Sequence, residues 1–315
     1  MKAAILTALA LVLPSSAEVK ITAGQASYTV EIDGKPFTEF YFGPETMKPY
    51  LHPLRAASGT VVTRGYPMLQ DVPGESKDHP HHRGLWFTHG DVNGFDFWAN
   101  EPSQKSEKKG KIVVRKISAG KDSITGTFDW LDPQGKPLLT EDRTMTFRGQ
   151  KALRIVDLDI RLKAGDQKVV FGDTKEGTFA IRLAAGLEEP TRRSLKDPPR
   201  TGKMVSAEGA GGESNVWGKR SPWVDYYGKL GDETLGVAIF DHPKNPKHPT
   251  YWHSRSYGLF AANIFGEHDF YNDKSRNGSV TIQPGESLRF RYRVVIHPGD
   301  TQTAGIAQLF KEYAH

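Results

Sequence analysis

Apolar and polar residues alternate with a period of two over much of this chain. Val156, Leu158, Ile160 and Leu162 alternate with Asp157, Asp159 and Arg161, and Leu288, Phe290, Tyr292, Val294 and Ile296 alternate with Arg289, Arg291 and Arg293. Such runs predict strands with one face buried and one wet. Turn signals separate them at Asp33-Gly34, Ala119-Gly120, Asp132-Pro133-Gln134-Gly135, Arg148-Gly149 and Pro284-Gly285. Only TAGIAQLFKEYA, residues 303–314, has helical spacing, through Ile306, Leu309, Phe310 and Tyr313. The pattern predicts an all-β protein: a large antiparallel β-sandwich with long loops and a short C-terminal helix. No linker interrupts residues 18–315, which read as one domain.

Two stretches break the alternation and are rich in Pro, Gly and Trp, from about Tyr50 to Trp98 and from about Glu188 to Trp223. Long irregular loops on a rigid β scaffold are where function concentrates.

Composition narrows the classes. The 315 residues include no cysteine, which excludes disulfides and thiolate metal sites and leaves stability to the core. The first residues, MKAAILTALALVLPSSA, have the order of a secretory signal, with Ser15 and Ala17 at the −3 and −1 positions of a cleavage site. The expectation is cleavage after Ala17 and an exported protein, periplasmic or secreted. The apolar run is shorter than the roughly 20 residues a spanning helix needs, and no later segment is long enough either. The net charge of +5 is spread along the chain, and its one basic cluster, Lys105 to Lys116, reads as a solvated strand and hairpin edge. Nothing points to nucleic acid. Oligomeric state is not readable.

Chemistry gathers in three clusters. The first is DHPHHRGLWFTHGDVNGFDFW, Asp78 to Trp98, which holds His79, His81, His82 and His89. Three readings stay open for it: a metal site, acid/base or substrate-binding use, and histidines satisfied within a crowded turn. His79 and His81 have the two-residue spacing of ligands on one strand face, so a divalent metal would take His79, His81 or His82. No other cofactor is implied. Histidine also exchanges protons near neutral pH. Trp86 and Trp98 flank these histidines beside Arg83 and Asn93, and Trp217, Trp223 and Trp252 lie near other polar groups. Sugar rings stack their C–H faces on indoles while their hydroxyls need fixed polar partners, so this co-location suits a carbohydrate site.

The second cluster is FGDTKEGTFAIRLA, where Asp173, Lys175 and Glu176 precede a strand. It reads equally as an ion-pair network and as a base held charged by cations. Arg182 is expected on the strand face opposite Phe179, Ile181 and Leu183. The third, DHPKNPKHPTYWHSRSYGLFAANIFG, holds Asp241, His242, His248, His253, Arg255 and Asn263 with Tyr251, Trp252 and Tyr257. Its His-Pro pairs stiffen the loop. There is no GxSxG elbow, HExxH, P-loop or dinucleotide fingerprint, which weighs against serine hydrolases, zincins, NTPases and classical dehydrogenases.

These segments, together with WGKRSPWVDYYG, resemble a bacterial exported family commonly labelled "methane oxygenase PmoA". The likeness spans most of the mature chain. A membrane methane monooxygenase subunit needs spanning helices, which the chain does not offer, so the label does not fit. The resemblance implies a β-sandwich similar to the galactose-mutarotase supersandwich, whose cleft binds carbohydrate. It also implies gene neighbours that oxidise sugars or cleave 3-keto glycosides. It carries over no catalytic residue set.

The reading is an exported carbohydrate-active enzyme that cleaves a glycoside, a 3-keto glycoside among the candidates, by acid/base elimination or hydrolysis, or that isomerises a sugar. Glu176 or His253 is expected as base and His81 or His82 as acid. Arg64, Arg83, Lys175 or Arg182 would stabilise an enolate, and a metal could replace those cations. Trp86, Asn93, Trp98, Trp223, Asp241, His242, Arg255 and Asn263 complete the expected substrate contacts. The alternatives are a non-catalytic carbohydrate-binding protein of the cell envelope and a structural envelope protein with no concave cluster.

Overall fold

The structure is a computed structural model that describes residues 17–192 and 197–315. The expected export signal lies outside the described residues, apart from Ala17. In chain order the strands are β1 (Val19–Ala23), β2 (Ser27–Ile32), β3 (Lys35–Tyr41), β4 (Tyr50–Leu51), β5 (Leu85–His89) and β6 (Lys111–Ala119). They continue as β7 (Ser123–Leu131), β8 (Pro137–Gln150), β9 (Leu153–Ala164), β10 (Val169–Phe171), β11 (Gly177–Arg182) and β12 (Lys203–Ser206). The last are β13 (Trp223–Leu230), β14 (Glu233–Asp241), β15 (Tyr251–Ser254), β16 (Leu259–Asn263), β17 (Val280–Ile282) and β18 (Ser287–Pro298). Short helices are α1 (Glu213–Val216), α2 (Glu267–Phe270) and α3 (Ile306–Tyr313).

The front sheet runs β1-β2-β3-β4-β5-β11-β16-β15 and the back sheet β12-β13-β14-β18-β9-β8-β7-β6, with β10-β17 as a separate pair. Both are antiparallel, so the fold is the expected all-β sandwich. Their inner faces meet in one apolar core. Phe179 stacks on Tyr292 with ring centres 4.5 Å apart, and Phe87 packs on Phe290 at 5.6 Å and on Trp130 at 6.3 Å. Each such fully buried side chain contributes roughly 1.5–3 kcal/mol. The alternation along β9 and β18 supplies the back half: Val156, Ile160, Phe290 and Val294 are buried while Arg289 and Arg293 pair outside with Asp159 and Asp157.

The Arg148-Gly149 turn is corrected. Gly149 pairs with Arg154 inside the ladder, and the turn falls at Lys151-Ala152, with Lys151 at φ +52°. The glycine is needed for close approach instead, since a Cβ there would lie 2.6 Å from Ile32 Cγ2. The helical spacing at the C-terminus becomes α3, which covers Trp223, Phe240 and Val295 on the outer face of the back sheet.

The front sheet departs from simple one-sided burial. Every residue of β5, β11 and β16 is buried, on both faces. The inner face meets the core. The outer face is covered by His79 and His82 from the loop before β5, by Trp98 after it, by Tyr257 of the β15–β16 hairpin and by Trp217. No helix among the described residues is long and apolar enough to cross a membrane.

Candidate functional site

Ladder register builds the outer face of the front sheet. Tyr50 pairs with Trp86, Trp86 with Ala180, Ala180 with Ala261, and Ala261 with His253, so these five stand in one row. Tall side chains at either side thus flank two methyl groups. Thr88 and Thr178 lie opposite each other in the next row, and Arg182 lies opposite Leu259 in the other direction.

The first cluster folds down over this row as a column of rings. His82 stacks on Trp86 at 5.3 Å, His79 on His82 at 4.7 Å with 7° between planes, and Tyr257 on His79 at 5.3 Å with 8°. Trp98 packs on Trp86 at 5.1 Å, and His81 sits edge-on to His82 at 4.4 Å. The guanidinium of Arg182, fully buried, lies 4.8 Å from the Tyr257 ring centre. Asp78 accepts from Arg64 at 2.6 Å and from Arg182 at 3.1 Å.

The second and third clusters join from the far side. His253 Nδ1 donates to the Lys175 carbonyl at 2.6 Å, and Asn263 donates to the Thr174 and Lys175 carbonyls, each at 3.0 Å. Lys175 Nζ lies 3.5 Å from the Glu176 carboxylate, which is within electrostatic reach of the Tyr257 hydroxyl. Arg255 pairs with Glu213 at 2.9 Å and lies over Trp217 at 5.7 Å and Tyr257 at 5.8 Å. Trp217 stands edge-on to His253 at 6.4 Å. The three remote segments therefore share one face. His79 and Glu176 are about two-fifths exposed, at 40% and 39%, while His81, His82 and His253 are buried below them.

Hydrogen-bond partners assign the imidazoles. Gln104 Nε2 donates to His81 Nδ1 at 2.9 Å, and Arg182 donates to His82 Nδ1 at 3.0 Å. Arginine only donates, and the Gln104 carbonyl oxygen is already used by the Glu101 amide. Both rings therefore carry their proton on Nε2 and present an N–H. His253 is the reverse: its Nδ1–H is spent on a carbonyl, which leaves Nε2 as a lone-pair acceptor. Burial lowers all three below the usual histidine pKa. Lys48, His79, Arg64 and Arg182 add to the effect at His81; His81 and Arg182 add to it at His82, and Arg255 and Lys175 at His253, which is held at about 4. All three are neutral at pH 7. Burial raises the Tyr257 phenol to about 12, so it stays protonated. Burial also pushes Asp78 up, but hydrogen bonds from His79 and Ser76 and the charge of Arg182 outweigh it and hold the carboxyl well below its usual range. The indole N–H groups of Trp86, Trp98 and Trp217, the Thr88 hydroxyl and Arg182 Nε are buried without a partner among the described residues. An unpaired buried polar group costs about 1–3 kcal/mol, so this face holds unused hydrogen-bonding capacity.

Other expected residues lie elsewhere or are already engaged. Trp223 packs under α3 on the back sheet, because β13 belongs to that sheet. Asp241, at the end of β14, accepts from Asn245 at 2.7 Å and from the Thr250 amide at 2.9 Å, and it pairs with His248. His242 caps the Lys244 amide and packs edge-on to Tyr313. Asn93 sits in a tight turn at φ +52°, where its side chain accepts from the Val170 amide at 2.7 Å. These four hold loops and packing and do not join the ring column. Arg83 is spent on Glu101 through two bonds of 2.8 and 2.7 Å. Arg64 donates to the carbonyls of Tyr66, Ser76 and His79 and so fixes the loop that carries the histidines. Asn263 positions the 174–175 backbone. Among the described residues, no three His, Cys, Asp or Glu side chains are grouped to hold a metal ion; His79 stacks on His82, and His81 stands edge-on to both.

Tyr257, Trp217, Gln104 and Asp78 are the face residues missing from the expected set. Tyr257 had a signal: His253, Arg255 and Tyr257 are spaced by two around one hairpin. Trp217 had only its place among polar neighbours; a bridge to Trp252 brings it in from a remote segment. A cavity of about 590 Å³, lined by Met68, Leu69, Val72 and Glu75 among others, contains none of the stacked rings.

A family model described as "Family of unknown function (DUF6807)" matches residues 27–311. No curated protein matches the chain. Among solved structures, a candidate aldose 1-epimerase from Klebsiella pneumoniae is similar at a TM-score of 0.46 and 10% identity, over 96% of this chain and 89% of that one. An α-galactosidase from Lactobacillus brevis is similar at 0.40 and 9%, over 92% of this chain and 40% of that one. A polysaccharide lyase is similar at 0.38 and 11%, over 92% and 34%. The chain spans well under half the length of the last two.

Proposed function

The chain belongs to the family of unknown function DUF6807, and from the face described above we propose that it is a carbohydrate-active enzyme that cleaves a glycoside by acid–base chemistry. The observation that carries this reading is that one acceptor imidazole, His253, and two donor imidazoles, His81 and His82, stand on the same indole-bearing face. A 3-keto glycoside suits it best. Its ketone acidifies the C2 proton, which His253 Nε2 or the Glu176 carboxylate removes. The electron pair forms the enolate, then expels the C1 oxygen. That oxygen takes a proton and the aglycone departs, leaving an enone to which water can add.

Suppressed protonation revises the part of His81 and His82. A neutral imidazole does not deliver a proton as imidazolium would, but its N–H stabilises a developing oxyanion. Arg182 and Lys175 supply positive charge for the same oxygen. Tyr257, protonated and adjacent, is a second donor.

The experiment is incubation of the purified chain with 3-keto and plain glycosides, following release of the aglycone. A general base is typically worth ~10²–10⁴-fold. His253→Gln and Glu176→Gln are expected to separate the two bases, one of them losing about that factor in kcat. Turnover unchanged in both variants, or binding of a sugar by the wild type with no product from either class, overturns the enzyme and leaves a binding protein.

A further inference from the structure

Two side chains occupy the ring face from above, and they come from neighbouring positions. His79 fills the slot between His82 and Tyr257, nearly parallel to both, at 4.7 and 5.3 Å. Asp78 places its carboxylate on Arg64 and Arg182. Both occupants are about two-fifths exposed, at 41% for Asp78 and 40% for His79, while the arginines they cover are 1% and 0% exposed. His79 also holds φ +46°, a conformation that side-chain-bearing residues adopt at a cost. The buried Arg182 Nε has no partner even with Asp78 in place.

A ring between two flat walls, with a carboxylate reaching two buried guanidinium groups, is also the outline of a sugar acid. We infer that Asp78 and His79 stand in for a uronic-acid unit, and that the face takes a carboxylated sugar once these two side chains rotate away. This rests on the carbohydrate reading above and names its substrate class. The carboxylate would pair with Arg182, whose hydrogen bond to His82 ties the anion site to a donor imidazole. Side-chain rotation suffices, because Arg64 still grips the Tyr66, Ser76 and His79 carbonyls and the backbone stays put.

The test is calorimetric titration of the full chain with D-glucuronate and D-galacturonate, against D-glucose and D-galactose at equal ionic strength. A hydrogen bond to a charged group is worth about 1.5–3 kcal/mol, so the acids are expected to bind roughly 10- to 100-fold tighter. Asp78→Asn, which weakens the internal competitor, is expected to tighten uronate binding more than neutral-sugar binding. His79→Gly, whose backbone suits φ +46°, opens the slot without touching the arginines and is expected to tighten both classes. Neutral sugars that bind as well as the acids, or uronate binding loosened in a folded D78N together with H79G, overturn this inference alone. Binding of neither class by wild type or H79G overturns the carbohydrate reading as well.

Discussion

At the scale of the residue, hydrogen-bond partners decide the chemistry more than residue type does. His81, His82 and His253 look alike in sequence, yet a donor on Nδ1 makes two of them N–H donors and a carbonyl on Nδ1 makes the third an acceptor. If His253 is the base, it must be neutral to act. Its value of about 4 then places the acid limb of kcat/KM there. The profile is expected to be flat above about pH 5 and to fall about tenfold per unit below 4. An acid limb near 6.5 would exclude His253. A second residue pair carries stability alone: Asp225 and His297, both fully buried, meet at 3.0 Å, and Thr301 donates to the same carboxylate at 2.7 Å. Removing one partner of a buried pair costs about 3–5 kcal/mol. Asp225→Ala should lower the urea midpoint accordingly, and an unshifted midpoint would show the pair idle.

Elements determine which of these residues meet. The period-two spacing of Phe179, Ile181 and Leu183 placed Arg182 on the opposite face, and the structure puts it there, because a strand has no other way to bury three apolar residues on one side. The spacing could not say that this second face is covered as well. Trp223 and Asp241 show the limit. Each sits in a recognisable polar–aromatic run, but which sheet a strand joins is set by long-range pairing that no local pattern encodes. The entry to β5 depends on Gly84, at φ +53°, where a Cβ would lie 2.0 Å from the Leu51 carbonyl oxygen. Gly84→Ala should cost at least about 1–3 kcal/mol, visible as a lowered melting temperature. It should also reduce any sugar binding, since the same turn carries His81 and His82. Wild-type melting would contradict the turn's role.

Across the whole molecule, histidine burial sets the response to pH. His52, His89, His242 and His253 are each lowered by burial from 6.5 to about 4, and His81 and His82 are lowered too. Between about 4 and 6.5 the unfolded chain binds protons that the folded chain does not. Their contribution to stability is therefore whole above 6.5 and is lost as pH falls towards 4, by up to about 1.4 kcal/mol per pH unit for each histidine. His297 works in the other sense: Asp225 outweighs burial and raises it, so its contribution fades as pH rises past its folded value. The six should prevail over the one, and denaturation midpoints are expected to drop steeply between pH 6.5 and 4. A flat dependence there would mean that these rings are solvated.

The sequence by itself determined the strands, most of their turns, the terminal helix and the inward side of each strand, because alternation and turn chemistry act over a few residues. It also marked the three polar–aromatic runs. Tertiary structure alone decided that parts of those runs share one face, that Asn93, Trp223, Asp241 and His242 do not join it, and which ring nitrogen of each histidine is free. Those outcomes depend on strand pairing and contacts between segments tens to hundreds of residues apart, where the side chains that meet leave no mark on one another's local sequence.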